Sequence, residues 1–188
     1  MATLADTGNT SAMDPVTLET PRLLLRSFTS SDADAVYEAC QEADIQYYTP
    51  VPSPYRREDA EKYVKEVVAK GWATDHDHIL GAFRKDNDAL VGSFCLSARG
   101  RGVYELGYWA AKEQRGCGYS TEAARALCEW GFTALEAHRI EWWAMVGNTA
   151  SRALAEKLGF ALEGTLRNRS IANDGQPHDW WVGGLLKP

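Results

Sequence analysis

The sequence predicts a mixed α/β domain in which antiparallel strands come first, a parallel pair lies in the middle and a hairpin closes the chain. Two polar turn segments, 86–88 (Asp-Asn-Asp) and 99–102 (Arg-Gly-Arg-Gly), separate three apolar runs, as is typical of antiparallel neighbours. A glycine-containing loop and a helix then precede the next strand, and this order makes the two flanking strands parallel. A last turn at 173–175 (Asn-Asp-Gly) joins the final two strands as a hairpin.

The first third of the chain is predicted to be mainly helical. A strand over 22–28 contains three consecutive leucines, and serines at the start of 30–43 can cap a helix there. Three prolines exclude regular structure over 48–55. The apolar stripe of 58–70 predicts a second helix, which Gly71 is placed to end.

The remaining elements alternate between strands and helices without an internal repeat. Because no linker follows residue 15, we expect one domain over 16–188, preceded by a disordered lead-in over 1–15. Strands are predicted at 78–84, 89–97, 103–110, 139–146, 161–171 and 179–186, and helices at 121–136 and 149–158.

Composition and charge exclude several classes of function. The net charge is −6, and an acidic surface argues against nucleic-acid binding. No apolar run reaches the length of a membrane span, and the first fifteen residues lack the pattern of a signal peptide. Four scattered cysteines predict reduced thiols, and His76 and His78 have no second cluster to form a metal site. We therefore expect a cytoplasmic protein with no metal and with neither nucleic acid nor membrane as partner.

One loop has the composition of an anion site. Residues Gln114–Ser120 read Gln-Arg-Gly-Cys-Gly-Tyr-Ser and run directly into a helix. Two glycines one residue apart let successive N–H groups point into one space, and the helix adds its own first-turn N–H groups. The loop therefore predicts a phosphate or pyrophosphate site, with an ordinary turn as the alternative.

A set of short motifs in fixed order resembles the acyl-CoA-binding core of the GNAT N-acyltransferases. Within that superfamily the chain is most similar to the Rim-type ribosomal-protein N-terminal acetyltransferases, and the resemblance covers nearly its whole length. The motifs are Thr20–Leu23, Glu105–Trp109, Gln114–Ala123, Arg139–Glu141, Asn148–Ser151 and Glu156–Phe160.

The resemblance implies a GNAT fold, a mostly antiparallel sheet of six to seven strands with a central splayed parallel pair, helices on both faces and a C-terminal β-hairpin. It implies an N-acetyltransferase that moves an acetyl group from acetyl-CoA, its co-substrate, to a primary amine by direct attack. The acceptor is a peptide α-amine or a small-molecule amine, set by loops 44–56 and 172–179. Succinyl-CoA as donor, a non-catalytic CoA-binding regulatory module, and a homodimer all stay open.

The co-substrate would be held mainly by backbone groups. The resemblance places the pyrophosphate on the loop, with Arg115 adding positive charge and the Cys117 thiol playing no part. The extended pantetheine would pair with the strand edge near Trp109 and Ala110. Loop residues expected to bind are Gln114, Arg115, Gly116, Cys117, Gly118, Tyr119 and Ser120.

Two further residues would shape the pantetheine channel. Asn148 is expected to contact the pantetheine arm, with a helix N-cap as its alternative role. Gly107 is suited to a β-bulge that drives the parallel strands apart, or it is simply a glycine tolerated in a strand.

Glu105 and Ser151 are the candidate catalytic residues. A glutamate inside an apolar strand is costly to bury unless it faces a cavity, and the resemblance implies that Glu105 is the general base. We expect Tyr104, Tyr108 and Trp109 around it, and a structural ion pair is the alternative. The resemblance also implies that Ser151 protonates the departing thiolate, because alanine stands at position 155, where many relatives have a tyrosine. A first-turn helix serine is the alternative.

Overall fold

The computed structural model describes residues 13–188 and contains one continuous sheet of eight strands in the order β1-β2-β3-β4-β5-β6-β8-β7. It has one strand more than expected, because a two-residue strand, β1, pairs with β2. All neighbours are antiparallel except β5 and β6, as predicted. The strands are β1 (Leu18–Glu19), β2 (Leu23–Arg26), β3 (Asp77–Arg84), β4 (Leu90–Gly100), β5 (Val103–Ala110), β6 (Arg139–Met145), β7 (Ala161–Ile171) and β8 (Pro177–Leu186).

The helices lie on both faces of this sheet. Ser93 and Leu96 of β4 are an odd number of residues apart and therefore point to opposite faces. Tyr63 bonds Ser93 through its hydroxyl, whereas Gly131 packs on Leu96, so their helices cover opposite faces. The helices are α1 (Ala33–Ala39), α2 (Ala43–Tyr48), α3 (Arg57–Lys62), α4 (Val68–Ala73), α5 (Tyr119–Thr133) and α6 (Thr149–Leu158), with a π-helical turn (Tyr63–Val67) between α3 and α4.

The helix predicted over 30–43 is divided in the structure. A 3₁₀ turn precedes α1, and the chain leaves the helix at Cys40 before α2 begins. The side chain of Gln46 in α2 donates to the Cys40 carbonyl oxygen at 2.8 Å and so satisfies a group at the end of α1. This side-chain cap from the next helix was not predicted from the sequence.

Gly71 does not end its helix, so that prediction was wrong. The helix continues to Ala73, and Gly71 is buried within it. A Cβ on Gly71 would lie 2.5 Å from the main-chain oxygen of Asp77, at the start of β3. The glycine is required for close approach of α4 to the sheet rather than for termination.

The parallel strands β5 and β6 separate halfway along their length. Their register pairs run from Val103 with Arg139 to Leu106 with Trp142 and then stop, although both strands continue. Beyond this point β5 stays paired with β4, and β6 stays paired with β8. The expected splay is therefore present and begins at Gly107. The expected bulge is not, because the β4–β5 register is regular at Gly107.

The lead-in predicted over 1–15 lies mostly outside the described residues, although Met13 packs against the core. In the described part of the chain, every helix is too short or too polar to cross a bilayer.

Candidate active site

The loop before α5 presents an open set of main-chain N–H groups. Gly116 and Gly118 have φ angles of +77° and +79°, which L side chains rarely adopt. The first backbone hydrogen bond of α5 runs from Glu122 to the Gly118 oxygen, at 3.1 Å. Among residues 13–188 no protein acceptor serves the N–H groups of Gly116, Cys117, Gly118, Tyr119, Ser120 and Thr121. This is the geometry of an anion-binding nest at a helix N-terminus.

Arg115 lies across the end of β5 rather than over the nest. Its Nε donates to the Ala110 carbonyl oxygen at 3.1 Å, and its terminal nitrogen lies 3.4 Å from the Asp44 carboxylate. Trp109 is buried and Gln114 closes a short 3₁₀ turn. The guanidinium thus engages a carbonyl that was expected to be free for pantetheine.

Arg22 lies beside the nest, a position that the sequence did not predict. Its guanidinium donates to the Cys117 carbonyl oxygen at 3.0 Å and lies 4.4 Å from the centre of the Tyr119 ring. The Glu122 carboxylate accepts from Arg22 Nε at 2.6 Å. Burial acts to raise the pKa of Glu122, but hydrogen bonds from Thr20 and Arg22 outweigh it and leave that pKa lowered. The sequence feature that could have pointed to Arg22 is its position in the Thr-Pro-Arg-Leu motif.

Glu105 sits in an ion pair rather than among aromatic rings. Its carboxylate accepts from Arg99 Nε at 2.8 Å, and its side chain is 27% exposed. Hydrogen bonding to Glu105 raises the pKa of the Arg99 guanidinium. Tyr104 and Tyr108 alternate with Glu105 along β5 and point to the opposite face. The expected positions of Tyr104 and Tyr108 beside Glu105 were therefore wrong, although the carboxylate keeps access to solvent.

A second carboxylate lies beside Glu105 and was not singled out from the sequence. Glu141 of β6 is the register partner of Glu105 in the parallel pair, so both side chains share one face. Arg139 Nε donates to it at 2.9 Å and Trp143 Nε1 at 3.1 Å. Both of its oxygens are thus engaged by protein donors.

Ser151 lies on the other face, in a partly buried network of neutral groups. Asn148 caps α6, its Oδ1 accepting from the Ser151 N–H at 3.1 Å, so the N-cap role is present. Ser151 Oγ accepts from Trp142 Nε1 at 3.0 Å and lies 2.7 Å from the Tyr108 hydroxyl. Burial raises the pKa of Tyr108 to about 12, against the opposing hydrogen bonds of Ser151 and Trp142.

These two groups flank the start of the splay from opposite sides. Glu105 comes one residue before the last paired position of β5, and Tyr108, which holds Ser151, comes two residues after it. An atom held between the separated strands is thus approached by a carboxylate from one face and by a hydroxyl network from the other.

The two loops expected to select the acceptor meet in the structure. Asn173 Nδ2 donates to the Gln46 carbonyl oxygen at 2.6 Å, which ties 172–179 to 44–56. A cavity of about 480 Å³ lies between them. It is lined by Ala43, Asp44, Gln46, Tyr47, Tyr48, Ser53, Asn173 and Asp174. Within residues 13–188 no group of three or more His, Cys, Asp or Glu side chains is arranged to hold a metal ion.

A nest at a helix N-terminus beside a splayed parallel pair is suited to an extended ligand that carries a phosphate group. The family described as the acetyltransferase (GNAT) domain matches residues 22–161. The chain therefore belongs to the GNAT family and is an acyltransferase, as its motifs predicted.

Known proteins support this assignment over most of the chain. The uncharacterized N-acetyltransferase YnaD of Bacillus subtilis (strain 168) is 30% identical over 165 residues, covering 87% of this chain and 91% of that protein. RimL, a ribosomal L7/L12 α-N-protein acetyltransferase solved with coenzyme A, aligns with a TM-score of 0.81 at 20% identity, over 91% of this chain and 98% of that one. The ribosomal-protein-S5-alanine acetyltransferase of Vibrio fischeri aligns with a TM-score of 0.76 at 21% identity, over 92% of this chain and 100% of that one.

Proposed function

We propose that this enzyme transfers an acetyl group from acetyl-CoA to a primary amine, either the N-terminal α-amine of a protein or peptide or a small-molecule amine. One observation carries the proposal. A solvent-accessible carboxylate and a hydroxyl donor lie on opposite faces of the point where β5 and β6 separate. Direct attack on a thioester is promoted by a base that deprotonates the amine and by a donor that stabilises the departing sulfur.

The nest supplies the binding site for the pyrophosphate. Its N–H groups and the positive end of the α5 dipole favour a doubly charged anion, and the Arg22 guanidinium lies at the rim, where it is paired with Glu122. Asn148 uses its side-chain oxygen for the helix cap, which leaves its amide N–H groups to bind a pantetheine carbonyl.

Glu105 would take the proton of the incoming ammonium group, directly or through a water. The neutral amine then attacks the thioester carbon, the C–S bond breaks with its electron pair on sulfur, and the nitrogen loses its second proton to water as the amide forms. Ser151 lies on the side where the sulfur departs and would donate a hydrogen bond to it. In this proposal the acyl group moves in one transfer to the amine and no covalent enzyme intermediate forms.

The class of acceptor is supported by the relatives. RimL and the Vibrio fischeri enzyme are named for acetylation of ribosomal proteins, and RimL for an α-amine. Four free thiols also support a reducing, cytoplasmic location. A homodimer stays a prediction, for sedimentation analysis to test.

The test is a donor and acceptor screen that follows release of free CoA thiol. Peptides with a free α-amine, the same peptides already N-acetylated, and a panel of small amines are each offered with acetyl-CoA and with succinyl-CoA. We expect thiol release only where a free amine is present, and a product heavier by one acetyl group. Faster turnover with succinyl-CoA than with acetyl-CoA would identify succinyl-CoA as the donor. Calorimetric binding of acetyl-CoA with no thiol release from any amine would instead indicate a regulatory module.

A further inference from the structure

The hydroxyl of Ser151 contacts two side chains that come from different strands. Trp142 is the last residue of β6 that pairs with β5, and Tyr108 lies just beyond the last paired residue of β5. Trp142 Nε1 lies 3.0 Å from Ser151 Oγ, and Tyr108 Oη lies 2.7 Å from it. The serine therefore bridges the two strands where they begin to separate.

Elementary chemistry fixes the donor in one of the two contacts. An indole N–H can only donate, so Trp142 occupies one acceptor site of Ser151 Oγ. The Tyr108 hydroxyl donates to the Ser151 carbonyl oxygen at 3.2 Å, whereas either atom can donate in its 2.7 Å contact with Ser151 Oγ. When the tyrosine shares its proton with Oγ, both acceptor sites of the serine are occupied, and the serine proton points elsewhere.

We propose that Tyr108 and Trp142 are positioning residues that together turn Ser151 into an obligatory hydrogen-bond donor, directed at the sulfur of coenzyme A in the splay. This inference rests on the proposed function, because it takes CoA as the molecule between the strands. Tyr108 and Trp142 would act on the reaction only through Ser151. Neither touches the reacting atoms.

The network is built to stay neutral and fixed. The raised pKa of Tyr108 keeps its hydroxyl protonated through the working pH range, so it serves as a constant donor. Its ring stacks on the fully buried Phe94, with ring centres 5.9 Å apart and planes 16° from parallel. The N-cap contact from Asn148 fixes the backbone of Ser151. Such preorganised donors stabilise charge that develops during a reaction.

The proton stays on Ser151 in this scheme. When the C–S bond breaks, its electron pair remains on sulfur, and the serine hydrogen bond stabilises the resulting thiolate. Solvent later protonates the thiolate, while Glu105 holds the proton taken from the amine. A serine is a much weaker acid than a thiol, so a hydrogen bond accounts for its role without complete proton transfer.

Thiolate binding tests the inference without an acceptor amine. Calorimetry compares the binding of CoA with that of desulfo-CoA, which lacks the sulfur. It is carried out at about pH 9.5, above the pKa of a free thiol, which is roughly 8.5. We expect wild type to prefer CoA, and Tyr108→Phe to reduce that preference about fivefold, with Trp142→Phe similar. Affinity for desulfo-CoA should change less than about twofold in either variant.

Two controls separate positioning from structure. Tyr104→Phe removes a hydroxyl from the same face of the same strand, away from Ser151, and should leave the preference unchanged. In a Ser151→Ala background, Tyr108→Phe should have no further effect, because the tyrosine is proposed to act only through the serine. Thermal unfolding of each variant shows whether it is folded.

The outcomes are distinguishable. Equal weakening of CoA and desulfo-CoA binding by Tyr108→Phe, an unchanged preference, or a full effect in the Ser151→Ala background would each overturn the positioning role and leave the acetyltransferase proposal standing. Failure of the wild type to bind either ligand would overturn both proposals.

Discussion

The two faces of the separated strands handle charge in opposite ways. On one face, Glu105 and Glu141 lie side by side, and each is paired with its own arginine, Arg99 or Arg139. On the other face, Ser151 is held by a phenol and an indole, with no charged partner in the described structure. One face is ionic and the other is neutral, and both are partly buried.

This difference matches the two tasks that acyl transfer requires. A general base must exchange protons with solvent between turnovers, which a carboxylate with 27% exposure can do. A donor to a leaving group must keep its proton at every working pH, which burial among neutral groups favours. The comparison therefore predicts unequal, pH-distinct effects of substitutions on the two faces.

The largest effect is expected on the ionic face. Glu105→Gln should lower kcat by about 10²–10³-fold, because the ammonium acceptor loses its base. Acetyl-CoA affinity, measured by calorimetry, should be unchanged.

Glu141→Gln is the matched control, since Glu141 has the same register and face but both of its oxygens are engaged by Arg139 and Trp143. We expect less than about a threefold change in kcat. Equal losses in the two variants would contradict the assignment of the base to Glu105.

A smaller effect is expected on the neutral face. Ser151→Ala should lower kcat about tenfold, the scale of one hydrogen bond to a charged atom, while the acid limb of the profile keeps its midpoint. Steady-state rates across pH check this against wild type. A shifted midpoint would mean that the two faces are not independent.

The smallest effect concerns stability in alkali. Because burial raises the pKa of Tyr108 to about 12, its contribution to stability is complete below its unfolded pKa of roughly 10 and is lost as pH rises toward 12. Between pH 9 and 11 the wild type should therefore lose about 3 °C more in Tm than Tyr108→Phe. Identical alkaline losses by calorimetry would show that Tyr108 is not held neutral by the fold.

Local patterns predicted the backbone geometry of the glycine loop and the cap of α6. The nest needed only two glycines before a helix, and the cap needed only an asparagine at its start, so short-range geometry was sufficient. Gly71 shows the limit of this reasoning. Its position resembled a helix end, but the decisive contact is with the main chain of Asp77 on the next strand.

The surroundings of the candidate catalytic residues could not be predicted in the same way. The partner of Glu105 is an arginine near the end of β4, and the partners of Ser151 come from two separate strands. Arg22 reaches the nest from the first strand pair, about a hundred residues away in sequence. A one-dimensional pattern contains no information about such contacts.

The sequence by itself determined the order of strands and helices, the backbone of the nest and the family, because these depend on residues close together in the chain. The tertiary structure decided where β5 and β6 separate, which face each candidate group occupies and what neutralises it. Those features arise because β6 stays paired with β8 while β5 stays paired with β4. They also depend on side chains that meet only when the sheet is assembled. The division of the site into an ionic face and a neutral face is a property of the folded sheet.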